Sequence, residues 1–168
     1  MSSTELSALI STLEKSVATS ARGKHVLLNP PADQLGLLQL SAVLRIEVPR
    51  ELREWLGIHD GESGIAGLLG ESVFLMSARE IASAYNEMIS GDSEDADDQL
   101  ISVYGPARKR HTSVHWVPIA NSDQETIMID CDPAPGGDVG QIIFVDAAAT
   151  VVEVRYPNLR QLFADANQ

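Results

Sequence analysis

The stretch ETIMIDCDPAPGGDVGQIIFVD, residues 125–146, sets two short apolar runs on either side of a turn dense in proline and glycine. Ile127, Met128 and Ile129 make the first run and Ile142, Ile143, Phe144 and Val145 the second, lengths that suit strands. Between them stand Pro133, Pro135, Gly136, Gly137 and Gly140. Proline fixes φ and removes a donor, while glycine permits positive φ or a close backbone approach, so the turn has one definite shape. The segment reads as a hairpin. Asp130, Asp132 and Asp138 lie in its loop or at its edge, so shape and acid coincide there.

Outward from the hairpin, Val114, Trp116 and Ile119 precede it with strand-like alternation, and Val151 to Val154 follow it as another short apolar run. The first half of the chain has a different period. Leu6, Leu9, Ile10, Leu13 and Val17 recur at helical spacing and predict a helix over 3–18, opened by a capping box of Ser2 and Glu5. Asn29, Pro30 and Pro31 stop the chain before a second helix with Leu37, Leu40 and Leu44 on one face. Pro49 suits the first turn of a third helix over 49–58, with Leu52, Trp55 and Leu56 turned inward and His59, Asp60 and Gly61 ending it. Four glycines over 61–70 mark a tightly turned connection to an apolar run at 73–76. Ser77 and Glu80 form a capping box for a fourth helix carrying Ile81, Ala84, Tyr85, Met88 and Ile89, which Gly91 ends. Leu159, Leu162 and Phe163 face inward from a last helix over 158–166. Helices first and an antiparallel meander later is an α+β order.

At 168 residues, 44% hydrophobic and 21% charged, the chain fits a single globular domain able to bury roughly 70% of its extended surface. No run of apolar residues approaches membrane-spanning length, and the start MSSTELSALI lacks the basic and apolar parts of a signal peptide. The single cysteine, Cys131, makes no internal disulfide, which fits a reducing compartment and predicts a cytoplasmic protein. A net charge of −12 disfavours nucleic acid as a partner. Between residues 117 and 154 stand Asp123, Glu125, Asp130, Asp132, Asp138, Asp146 and Glu153, with no Lys or Arg. Such a field would attract a basic protein, although solubility alone also accounts for it.

Residues that could carry chemistry have structural readings beside the functional ones. His111 and His115 have a zinc-binding spacing only on a helix, and here they approach a strand without the neighbouring Glu of a metalloprotease. Asp130 and Asp132, two apart on a strand, would share a face and could hold a divalent ion or act as acid and base. The alternative is that they accept hydrogen bonds from the loop's amides and stabilise the turn. The glycines lack the Lys and the positive field of a phosphate cradle. The run Asp92, Glu94, Asp95, Asp97 and Asp98 lacks a calcium loop's central glycine and its last glutamate, and reads as a solvated loop. Flanking aspartates should raise the Cys131 thiol pKa and disfavour a nucleophilic role. Arg108, Lys109 and Arg110 read as a solvated basic loop, or as a salt-bridge contact with the acidic loop or a partner.

Three separated signatures then agree: Asn29-Pro30-Pro31-Ala32 before a helix; Ile46, Val48, Pro49, Leu52, Trp55, Leu56, His59, Asp60 and Gly61 in one spaced motif; and Trp116, Pro118 and Ile119 followed by Ile129-Asp130-x-Asp132-Pro133-Ala134-Pro135-Gly136-Gly137 up to Ile143. Together they resemble the SUKH superfamily, and within it the branch of the fungal cell-wall assembly regulator and its bacterial relatives. The resemblance implies a twisted, mostly antiparallel sheet packed against several helices. It divides the chain into an N-terminal helix, 1–24, and a body, 25–168, within one structural unit. It also implies a binding role without a catalytic site, metal or cofactor: an immunity protein that neutralises a bacterial toxin, often a nuclease, or a scaffold for cell-wall synthesis. The expected partner is a protein, such as a basic toxin, and neither nucleic acid nor a membrane. Asp123, Glu125, Asp130, Asp132 and Asp138 are the residues expected to form its docking surface, positioned by Trp116.

Overall fold

The structure, a computed structural model, describes residues 3–91 and 100–166. Among these residues five α-helices, α1 (Ser3–Thr19), α2 (Gln34–Val43), α3 (Arg50–Leu56), α4 (Ala78–Ser90) and α5 (Leu159–Asp165), pack with a sheet. Its strands are β1 (Phe74–Leu75), β2 (Ser102–Tyr104), β3 (Trp116–Asn121), β4 (Glu125–Asp130), β5 (Gln141–Asp146) and β6 (Val151–Tyr156), in the order β1-β3-β4-β5-β6-β2. Every pairing is antiparallel except that of β2 with β6. The expected mostly antiparallel α+β architecture is the one observed. The capping residue Ser2 and the acidic run 92–98 lie outside the described residues.

The hairpin of β4 and β5 is the centre of the sheet. It pairs without a register shift from Glu125 opposite Asp146 to Asp130 opposite Gln141. Its apolar runs are continuous because both faces are covered. Ile127, Ile129, Ile142 and Phe144 join the main core with the helices, while Met128, Ile143 and Val145 join a second cluster with Trp116, Val152, Ile101 and Ala107. Successive side chains of a strand point to opposite faces, so neither face supplies the polar residues that would mark alternation. Trp116 and Ile119, three apart, fall on opposite faces, Trp116 in the second cluster and Ile119 with Val117 in the main core, and a register shift between Pro118 and Ala120 turns Ala120 into the main core as well. Pro118 is tolerated because β1 pairs only with Ala120 and Asn121, leaving no ladder partner for a donor at position 118.

On the helical side, α1 contributes Leu6, Ile10, Leu13 and Val17 to the main core. Leu52, Trp55 and Leu56 of α3 are buried, and the Trp55 ring packs 5.2 Å from that of Phe163 in α5. Pro49 sits at the N-cap of α3 and not inside its first turn, since its ψ of 138° is extended. Ser77 and Glu80 make the reciprocal capping box of α4. Tyr85 of that helix is fully buried, its hydroxyl donating to the Val114 carbonyl and accepting from the Arg45 amide.

The residues that end α3 lock the chain to its earlier proline turn. Asn29 donates its side-chain amide to the Asp60 carbonyl, the Asn29 carbonyl meets His59 Nδ1, and the Asn29 amide donates to the Gly61 carbonyl. Asp60 Oδ1 then accepts the Ala78 amide at the start of α4. One further acid, Glu62, was not anticipated from sequence. It is buried, and its two carboxylate oxygens accept the amides of Leu68 and Leu75, closing the glycine-rich connection onto β1.

Burial pushes the Glu62 carboxyl up from 4.5 to about 7, against the hydrogen bonds from Leu75 and Leu68 and the charge of His59. Below the unfolded value its contribution to stability is fully present, and it is lost as pH rises through the folded value. The loss between pH 4.5 and 7 is at most about 3 kcal/mol. Urea unfolding of wild type and Glu62→Gln across this window should show the wild type losing stability relative to the variant as pH rises. A difference independent of pH would contradict the assignment.

Candidate functional site

The loop 131–140 between β4 and β5 is shaped by one buried acid. Asp130 has 0% of its surface exposed. Its Oδ1 accepts the Asp132 amide at 3.0 Å, its Oδ2 accepts Gln141 Nε2 at 2.9 Å, and the Trp116 side chain hydrogen-bonds it as well. Burial raises its pKa, and those hydrogen bonds oppose the shift. The Asp130 carbonyl accepts the Gly140 amide, closing the loop at its base. A second layer ties the loop to the chain after β2. The Ala134 amide and Gln141 Nε2 both donate to the Pro106 carbonyl. Gly137 fits beneath this layer because a Cβ there would lie 2.8 Å from that carbonyl and 2.7 Å from Pro133 Cβ.

Asp132 lies past the end of β4, so the strand alternation that would align it with Asp130 does not reach it. Arg108 Nη2 donates to its Oδ1 at 2.9 Å and Arg108 Nε to its carbonyl at 3.0 Å. That hydrogen bond, with the charges of Arg108, His115 and Arg110, holds the Asp132 carboxyl below its usual range. Within the basic triplet, Arg108 thus makes the salt-bridge contact with the acidic loop.

The remaining acids of the hairpin are distributed by the length of its strands. Glu125 takes a bidentate pair from Arg155 at 2.9 and 3.0 Å, and the same guanidinium donates to Glu153. Asp146 is pushed up by burial, but hydrogen bonds from Val151 and Thr150 outweigh this and leave its pKa lowered. Asp123 and Asp138 are exposed and hold no ion pair with a described residue. They stand at opposite ends of β4, whose six residues span about 17 to 20 Å. The structure therefore brings Asp130, Asp132 and Asp138 together at the loop end and leaves Asp123 and Glu125 at the far end.

Beside the loop lies a cleft of about 790 Å³, framed by the α2–α3 connection, the end of β4 and the entry to α5. Ile46, Val48, Pro49, Ile129 and Cys131 line it, with Val139, 76% exposed, at its lip. Its far wall is held by Glu51, which accepts the Leu159 amide and pairs with Arg160. Burial first, and the Asp130 charge second, push the Cys131 thiol up to about 11, so it stays protonated at neutral pH. His115 lines this cleft while His111 packs against the Ala149 carbonyl in a different depression, so the two do not converge. Among the described residues no group of three or more His, Cys, Asp or Glu is placed to hold a metal ion. Glu47, also on the cleft wall, was not singled out from sequence, because its neighbours in space lie some ninety residues away in the chain.

Asp130→Ala should leave the Asp132 amide and the Trp116 side chain without their acceptor and Gln141 Nε2 with the Pro106 carbonyl alone, and should cost roughly 2 to 5 kcal/mol in urea unfolding. Arg108→Ala, which breaks a part-exposed pair, should cost no more than about 1 kcal/mol. Equal effects would show that the buried carboxylate does not govern the loop.

No helix among the described residues is long and apolar enough to cross a membrane. No curated protein matches the chain. A family model described as the SMI1 / KNR4 family (SUKH-1) matches residues 31–165, beginning at the proline turn and ending within α5. Over residues 31–165, which include the end of α3, the loop and the residues lining the cleft, this chain belongs to the SMI1 / KNR4 family (SUKH-1).

Proposed function

We propose that the chain is a non-catalytic, cytoplasmic protein-binding domain, an immunity protein that neutralises a basic toxin. The carrying observation is the loop end of the sheet. There a rigid frame built on Asp130 holds Asp138 and Val139 out to solvent beside an open cleft, on a chain of net charge −12. Both carboxylates of a conceivable acid–base pair are already committed, Asp130 to three donors and Asp132 to Arg108, which argues for a shape-giving role over catalysis. Of the acids proposed for docking, Asp138 contacts the partner directly, with Asp132 beside it. Asp130 acts from beneath by fixing the loop. Asp123, unpaired among the described residues, contributes long-range attraction from the other end of the hairpin, where Glu125 adds less because Arg155 pairs with it. Such attraction raises association rate more than it lowers dissociation rate, and salt weakens it.

Co-expression with the product of a neighbouring toxin gene should protect the host, and the purified pair should bind. Absence of both would overturn the immunity reading, and capture of an envelope-assembly protein instead would favour the scaffold role. In the complex, Asp132→Asn with Asp138→Asn should slow association several-fold at low salt and flatten its salt dependence. Unchanged kinetics would reduce the loop to architecture.

A further inference from the structure

The cleft beside the loop has a charge balance that its residue types alone do not reveal. Of its cations, Arg50 pairs with Glu54 at 3.0 Å and Arg160 pairs with Glu51 at 3.0 Å and with Glu5 at 3.4 Å. Glu51 is in turn consumed by Arg160 and by the Leu159 amide. Glu47 and Asp138 remain, both exposed and neither ion-paired with a described residue, one carried by the α2–α3 connection and the other by the loop. Ile46, Pro49, Ile129 and Val139 form the apolar part of the walls, which His115, Arg50 and Asn158 also line. The volume, about 790 Å³, is that of a pocket able to take several side chains.

We infer that this cleft receives an arginine or lysine side chain from an exposed segment of a basic protein partner. The aliphatic stem lies along Ile129, Val139 and Pro49, and the cationic head reaches Glu47 and Asp138. Long basic side chains are matched to such a site because their stems bury on apolar surface while their heads stay at a wet, charged rim. An acidic side chain would meet two uncompensated carboxylates, and a wholly apolar one would leave them without a counter-ion. The inference rests on the protein-binding reading above and adds where the partner inserts and by which residue type.

The test needs no knowledge of the partner. The full chain, labelled with ¹⁵N, is titrated at low salt with three peptides: acetyl-Val-Arg-Val-amide, its citrulline analogue with the same stem and no charge, and its glutamate analogue. The arginine peptide should shift the amide resonances of Cys131, Val139 and Gly140 saturably. It should bind roughly three- to tenfold tighter than the citrulline peptide. That advantage should vanish in Glu47→Gln with Asp138→Asn, whose spectrum otherwise overlays the wild type. Equal binding of the arginine and citrulline peptides, shifts at the Asp123 end only, or no saturable shift would overturn the assignment. Tighter binding of the glutamate peptide would do so too and would give the cleft to an acidic segment. If a captured partner binds the Glu47→Gln, Asp138→Asn variant as well as wild type, the cleft assignment fails while the protein-binding reading stands.

Discussion

The carboxylate of Asp130, taken wholly out of water at the end of β4, is the constraint on which the loop end of this molecule depends. A buried carboxylate is costly unless its oxygens are met by donors, and here the Asp132 amide, the Gln141 side chain and Trp116 meet it together. Each donor comes from a different part of the chain, so satisfying one charge fixes the first turn of the loop, the first residue of β5 and the first residue of β3 relative to one another. Gln141 then passes the constraint outward by donating to the Pro106 carbonyl, which seats the segment after β2 over the second face of the sheet. The position of Asp138 and Val139, and so the lip of the cleft, follows from that frame.

A second lock does the same work on the helical side. Asn29, His59, Asp60 and Gly61 exchange backbone and side-chain hydrogen bonds across thirty residues of sequence, and His59 Nε2 also meets Glu14 of α1. This joins the proline turn, the end of α3, the start of α4 and the first helix. Although α1 precedes the residues matched by the family, its apolar face completes the same core as the rest. Removing its four buried residues would expose the faces of α3 and α5 that they cover.

The acid-rich, cation-free stretch had two readings, a docking field or mere solubility, and the fold supplies a third for most of it. Glu125 and Glu153 hold Arg155, Asp132 holds Arg108, Asp146 closes the turn to β6 and Asp130 builds the loop. The arginines that answer these acids lie just outside the stretch in sequence but beside it in space. What is left of the stretch, without an ion-pair partner among the described residues, is Asp123 and Asp138.

The order of elements, the inward faces of α1, α3, α4 and α5, the capping box at Ser77 and the shaped hairpin were all legible, because each rests on interactions between residues a few positions apart. Helical period, proline and glycine stereochemistry and cap spacing are local physics that a sequence carries openly. The continuous burial of β3 to β5 was less legible, since only the tertiary structure shows that the segment after β2 covers the second face. The shift at Pro118, the buried acceptor role of Glu62, the pairing of Arg108 with Asp132 and the cleft beside Glu47 were decided there as well. These depend on which distant groups share a low-dielectric space and on which charges find partners, and neither is a property of neighbouring residues. By itself the sequence determined the family, the α+β order and the acidity of this protein. The tertiary structure decided which of its acids are architecture and which two face an open cleft, because charge compensation is settled by distance in space.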